Sequence, residues 1–282
     1  MTASAAALAR TRRLERIWVW YAWTLAGLIA VFGDGVPARW WWVAGYVALA
    51  IPAWLLSRVR SPWPSWIATC VLVPTMFTLL GSVIESLVPE PFHWRVAALD
   101  AWLGGRAVAA LLSAPPSWLL DVCVLCYAAF YVLPIVLVIA VRKNTAAIAH
   151  IAELMTGGFL LSYLGYVIMP TLPPYRFVDY DTPLRGDAVF EFVHTTLYDL
   201  EPIRQDCMPS GHTMMTLLCV FLAWKHARRQ LWWLLPVGGF LILGTVLLRY
   251  HWFVDVLAAV PFALLACWLF APAAAGQRPG QA

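Results

Sequence analysis

Two stretches in the C-terminal third combine side chains able to do chemistry. The first is Pro209-Ser210-Gly211-His212-Thr213, at the start of an apolar run. Proline is favoured at a helix start and serine is a good N-cap. The open backbone N–H groups of a helix N-terminus, with its dipole, make a ready anion site. A phosphate held there has the His212 imidazole beside it. Read alone, the same residues also describe an ordinary capped helix ending in an interfacial histidine. The second stretch is Arg249-Tyr250-His251-Trp252-Phe253-Val254-Asp255. His251 and Asp255 are four apart and share one face of a helix. A carboxylate bonded to one imidazole nitrogen fixes the tautomer and makes the other nitrogen more nucleophilic. Arg249 adds a permanent cation able to hold two phosphate oxygens. The plainer alternative is an interfacial ion pair.

The two stretches are more specific together. His212 and His251 are 39 residues apart, separated by an apolar run, a basic segment and a second apolar run. Each run rises about 27 Å as a helix of about 18 residues. The chain therefore leaves one face of a membrane and returns to it, so both histidines, Asp255, Arg249 and a helix N-terminus can converge. Two histidines and an aspartate also suggest a metal. The His251–Asp255 spacing and the phosphate-ready turn fit phosphoryl transfer better, and neither metal nor cofactor is expected.

The composition names the kind of element that positions them. Of 282 residues, 62% are apolar and 12% charged, with a mean hydropathy of +0.74. Soluble domains carry about 25% charged residues, so a solvated globule is excluded, and so is a disordered chain. Six cysteines, mostly inside apolar runs, do not make a disulfide scaffold. The net charge of +4 contains no block resembling a nucleic-acid patch. The 17 tryptophans suit a membrane–water boundary. The reading is an all-α, polytopic membrane helix bundle.

A span needs about 20 apolar residues. Eight are predicted, at roughly 16–33, 39–56, 66–88, 117–141, 146–169, 210–224, 231–248 and 252–270. The last two are divided at Leu247–His251. Arg10, Arg12, Arg13 and Arg16 precede the first, which reads as an uncleaved span. With the N-terminus inside, these four, Arg58, Arg60, Arg142, Lys143, Lys225, Arg228, Arg229 and Arg278 place 12 of 19 basic residues on the inner side. Both termini are then cytoplasmic and the two histidines extracytoplasmic. Residues 89–116, around Gly104-Gly105, read as one or two interfacial helices. Residues 170–209 hold six prolines and seven acidic residues and read as a structured outer loop. Asp100, Asp121 and Glu85 near the outer face either line a headgroup pocket or simply sit at the interface. Glu153 and His150 read as structural, Met214 and Met215 as core, Cys123-x-x-Cys126 as packing and Cys207 as incidental.

Pro209–His212 resembles the second signature of the type 2 phosphatidic acid phosphatase superfamily, and His251 and Asp255 match the His and Asp of its third. Gly165-Tyr166-Val167-Ile168-Met169-Pro170-Thr171-Leu172-Pro173-Pro174 resembles the inositol phosphorylceramide synthase-like (inositolphosphotransferase) branch. Ser210-Gly211-His212-Thr213 with Thr216 and Leu217 is also similar to sphingomyelin synthases. The resemblance covers roughly residues 95–270. It implies a six-helix catalytic core within 61–272; the two N-terminal helices over 1–60 lie outside it, and the Ala/Gly/Pro/Gln tail over 273–282 reads as disordered from its composition. The resemblance further implies a phosphohistidine on His251, oriented by Asp255. His212 would serve as acid and then base, with Ser210, Gly211 and Arg249 on phosphate oxygens and no metal. The Lys-x6-Arg-Pro first signature is absent; Arg176, in the proline-rich turn that occupies its place, is the candidate phosphate contact. The arginine expected six residues before the third-signature histidine is Thr245, for which Arg249 substitutes. Arg204 is a further candidate ligand.

The expected substrate is a phospholipid or polyprenyl phosphate, with a lipid hydroxyl or water as acceptor. A non-catalytic lipid-binding protein is the alternative of a different class. Low lysine against high arginine, alanine and tryptophan suggests a GC-rich bacterial genome and a cytoplasmic membrane.

Overall fold

A computed structural model describes residues 3–56, 61–88, 92–180, 182–200 and 205–270. Arg58, Arg60, Arg204, Arg278 and the 273–282 tail, all assigned above from sequence, lie outside the described residues. Helix α1 (Ala3–Phe32) is followed by two short helices, α2 (Arg39–Ala48) and α3 (Ala50–Leu56). Pro52 has no N–H to give the Ala48 carbonyl, and α2 stops at that residue; the second predicted span is thus two pieces. Helix α4 (Pro62–Leu87) is continuous through Pro74. The region read as interfacial holds α5 (His93–Trp102) and α6 (Gly105–Leu111), divided at Gly104, whose φ is +94°.

The fourth predicted span is bent. Helix α7 (Ser117–Ala128) passes through a 3-10 turn (Ala129–Tyr131) into α8 (Leu133–Ala140), with a 59° change of direction. Pro134 again removes a helix donor. Helix α9 (Thr145–Ile168) is buried along nearly its whole length and forms the axis of the bundle. Its alanines and glycines let neighbouring helices approach closely. The outer loop contains α10 (Pro174–Phe177) and α11 (Ala188–Leu200). Three helices follow: α12 (Gly211–His226), α13 (Leu231–Leu247) and α14 (Phe253–Leu269). Among the described residues there is no strand, only an isolated bridge between Thr171 and Asp206.

Pro62–Leu87, Thr145–Ile168 and Arg228–Leu247 are each long and apolar enough to cross a bilayer, and the bent α7–α8 pair makes a fourth crossing if it acts as one span. Trp41, Trp102, Trp232 and Trp268 are exposed, which suits a lipid boundary and not bulk water. Helix α1, about 45 Å long at ~1.5 Å per residue, belongs to the same core: Trp18, Leu25 and Ile29 are buried with residues of α4, α9 and α12. At one end of the bundle Arg13 Nε meets the fully buried Glu153 carboxylate at 3.2 Å, and Arg13 also donates to the Leu269 carbonyl of α14. His150 and His226 share a hydrogen bond there at 2.8 Å. These polar groups tie α1, α9, α12 and α14 together, the structural role expected for His150 and Glu153.

Candidate active site

The opposite end of the bundle gathers the two motifs. Ser210 caps α12, its Oγ accepting from Thr213 N at 3.2 Å. The N–H groups of Gly211 and His212, in the first turn, have no intrahelical acceptor. Gly211 is required for packing: a Cβ there would lie 2.4 Å from Tyr166 Oη on α9. Gly165, the residue before Tyr166 on α9, stands against the Pro209 ring in the same way. Two glycines thus let the axial helix press against the turn that presents His212.

His251 sits in the link between α13 and α14. The Tyr250 N–H reaches the Thr245 carbonyl and the Arg249 N–H reaches Val246, a Schellman ending with Arg249 in the left-handed position, φ +63°. A non-glycine residue there costs about 1–2 kcal/mol. Thr245, the position at which the resemblance led to an arginine being expected, supplies a carbonyl that also takes the His251 N–H at 2.8 Å. The Asp255 carboxylate accepts from Trp252 N at 2.8 Å and so caps α14. Asp100 of α5 accepts from Val254 N at 2.8 Å, a second acidic cap on the same helix end. Asp121 of α7 does this for α11 through Phe190 N at 2.9 Å. Asp100 and Asp121 are therefore helix caps, while Glu85 is exposed.

His251 is buried, and its Nδ1 lies 3.1 Å from the Cys207 carbonyl and 3.5 Å from Asp255 Oδ2. A carbonyl only accepts, so Nδ1 carries the proton and Nε2 the lone pair. Cys207, read as incidental, thus contributes its backbone oxygen. Cys207 Sγ, His251 and Asp255 offer donor atoms within 4.8 Å of one another. The proton on Nδ1 makes that nitrogen a poor metal ligand; the Cys207 carbonyl and the Asp255 carboxylate orient the ring, and the thiol donates to the Tyr250 carbonyl instead. The His212 and His251 ring centroids are 5.7 Å apart. His212 stacks on Tyr127 of α7, at 4.0 Å and 22°, and is flanked by Phe130 at 4.2 Å. Tyr127 Oη lies 3.1 Å from His212 Nδ1, while His212 Nε2 is buried with no protein partner.

The two arginines assigned from sequence are engaged by the outer loop. Arg249 lies over the Tyr180 ring, 3.8 Å from its centroid, and donates to the Thr182 carbonyl at 2.8 Å. Arg176 is exposed and donates to Tyr198 Oη at 2.9 Å. His212, His251, Asp255, Ser210 and Gly211 come together, whereas Arg249 and Arg176 bind loop groups. The proline-rich turn is stitched to the site: Trp252 Nε1 donates to the Leu172 carbonyl at 2.9 Å, and Thr171 N to the Gln205 carbonyl at 3.2 Å.

Three neighbours escaped the sequence reading: Tyr127, Phe130 and Asp206. The aromatic pair spaced i, i+3 in the fourth apolar run was the available signal for the first two. Burial pushes the Asp206 carboxyl up to about 6, with nearby His251 opposing the rise and Asp255 adding to it. A carboxyl raised above its unfolded value of about 3.9 favours the fold most below that value and loses this contribution as pH rises through about 6. Asp206→Asn is therefore expected to melt higher than the parent at pH 8, with the gap closing towards pH 4.5. Thermal unfolding in detergent at both pH values checks this, and a pH-independent gap would count against it.

These features define a helix-bundle membrane protein with paired imidazoles at a helix N-terminus. A family model described as the PAP2 superfamily matches residues 94–269, from α5 to α14. The chain belongs to that superfamily and is an integral membrane protein, and membership points to phosphatase-type chemistry. No curated protein and no solved structure matches the chain.

Proposed function

We propose that the protein is a membrane lipid phosphotransferase of the inositol phosphorylceramide synthase-like kind, working through a phosphohistidine on His251. The observation that carries this reading is the unequal pair of imidazoles. His251 has Nδ1 held by a carbonyl and a carboxylate, and His212 stands 5.7 Å away with an unpartnered Nε2. His251 Nε2 attacks phosphorus in line and the lipid alkoxide departs with a proton from His212. His212 then takes a proton from the acceptor hydroxyl, whose oxygen attacks phosphorus and releases His251. Ser210, Gly211 and the α12 N-terminus hold the phosphate oxygens. Arg249 and Arg176 join them if the anion displaces their loop partners. Acid–base help contributes about 10²–10⁴-fold, and the oriented charge around the phosphate contributes further.

The surrounding assignments belong to the same proposal. Two N-terminal helices precede a six-helix core over 61–272, eight spans in all, both termini are cytoplasmic, and the site opens to the outer leaflet of a bacterial inner membrane. The proline-rich turn Gly165–Pro174 favours the transferase branch through its resemblance to that branch, and its backbone is bonded to Trp252 and Gln205 beside the histidines. Water as acceptor would instead make the protein a lipid phosphate or polyprenyl pyrophosphate phosphatase.

The test follows phosphorus label from phosphatidylinositol, phosphatidate or polyprenyl pyrophosphate, with purified protein in lipid micelles and with or without ceramide or diacylglycerol. Label in a new lipid, only when an acceptor lipid is present, is the expected result. Label in free phosphate would replace the transferase with the phosphatase, and no transfer to either would overturn both.

A further inference from the structure

The two histidines are oriented by groups of different chemistry. Nδ1 of His251 faces a backbone carbonyl and a carboxylate, whereas Nδ1 of His212 faces the neutral phenol of Tyr127, 3.1 Å away. We infer that Tyr127 is the positioning residue of His212, its Oη accepting the Nδ1–H and leaving Nε2 as the nitrogen that gives a proton to the departing oxygen and takes one from the entering hydroxyl.

The geometry confines His212 closely. Its ring lies against Tyr127 at 4.0 Å and Phe130 at 4.2 Å, two buried side chains three residues apart, at the end of α7 and in the 3-10 turn that follows it. The flat contact with Tyr127 limits ring rotation, and the Oη contact leaves Nε2 as the one nitrogen without a protein partner. A phenol can donate or accept, so two tautomers are open to the pair. If Tyr127 donates to Nδ1, the neutral ring carries its proton on Nε2 and cannot act there as a base. If Tyr127 accepts, Nδ1 stays protonated through both half-reactions, and Nε2 gives a proton to the leaving group and later takes one from the acceptor. Only the second arrangement serves an acid that must become a base.

The chemical contrast between the orienting groups has a use. A carboxylate beside His251 stabilises positive charge on the ring, which is what a nucleophile develops as its lone pair binds phosphorus. A neutral phenol beside His212 fixes direction without adding charge, so the ring can change protonation state between the two steps. The inference rests on the acid–base role proposed for His212.

Tyr127→Phe tests it, because the ring and its stacking remain and only Oη is lost. With a lipid donor, kcat is expected to fall about 10- to 100-fold, the value of one hydrogen bond to a group that becomes charged, with KM within about twofold. The second readout does not depend on activity. The ¹⁵N spectrum of histidine-labelled protein, with His212 assigned through His212→Gln, should show Nδ1 protonated at every pH and only Nε2 titrating, so that the neutral ring is the Nδ1–H tautomer in the parent and a mixture in Tyr127→Phe. An Nε2–H tautomer in the parent, or an unchanged spectrum in Tyr127→Phe, would overturn the inference. Failure of the enzymatic reading shows differently, as a His251→Ala protein no less active than its parent.

Discussion

Replacing His251 by alanine or glutamine should reduce phosphate transfer by about 10⁴-fold or more, the order seen when a covalent nucleophile is removed. The loss should be nearly complete because no nearby group can take over. The other imidazole is turned to a different task, and the Cys207 thiol, although close, donates to the Tyr250 carbonyl at 3.5 Å. The substitution should leave the fold intact. What holds the α13–α14 link is backbone bonding, the His251 and Tyr250 N–H groups to the Thr245 carbonyl, and these survive a change of side chain. Asp255 keeps its bond to Trp252 N, and Asp100 its bond to Val254 N, so α14 remains capped twice. The variant should therefore elute and melt like the parent while losing turnover. A second observation makes the test sharper. Brief exposure to labelled donor followed by acid-free denaturation should leave acid-labile, base-stable label on the parent and none on the variant. Turnover within tenfold of the parent, or label that persists, would remove His251 from the role.

The elements were legible because their signals are local. The run 146–169 is helix Thr145–Ile168, the run 252–270 is Phe253–Leu269, and Ser210 caps the helix it was expected to start. Each follows from an apolar stretch with a polar punctuation mark. The breaks were harder. Pro52 and Pro134 sit where helices stop or bend, yet Pro74, Pro236 and Pro261 lie inside continuous helices. Whether a proline ends a helix depends on neighbours that can re-satisfy the freed carbonyl, which one sequence does not display. The site divides in the same way. His251 and Asp255 are four apart and were paired at once. Tyr127 and His212 are 85 residues apart, and His251 and Cys207 are 44 apart, so only the packed bundle joins them. The arginines illustrate the converse. Arg249 lies two residues from His251, but its direction is set by the path of the outer loop, where Tyr180 and Thr182 claim the guanidinium.

His212 should respond to substitution in a way that depends on the leaving group. With a lipid donor the departing oxygen is an alkoxide and needs a proton. His212→Gln is therefore expected to slow turnover by about 10³- to 10⁴-fold, the upper part of the range for acid–base catalysis. With a nitrophenyl phosphate ester the departing phenolate is stable without protonation. The first step should then run within about tenfold of the parent, since His251 keeps its carbonyl and carboxylate and the α12 N-terminus keeps its Ser210 cap. The second step still needs a base to activate the acceptor. The variant should thus release one burst of nitrophenol per enzyme and hold phosphorus label on His251, whereas the parent turns over. Glutamine fills much of the space between Tyr127 and Phe130, so a collapsed pocket is not the expected cause of any loss. Equal losses with both esters, with no burst and no trapped label, would mean that His212 binds phosphate without moving a proton. The burst separates the two histidines as no measurement of total activity can, because removing the nucleophile abolishes it and removing the acid exposes it.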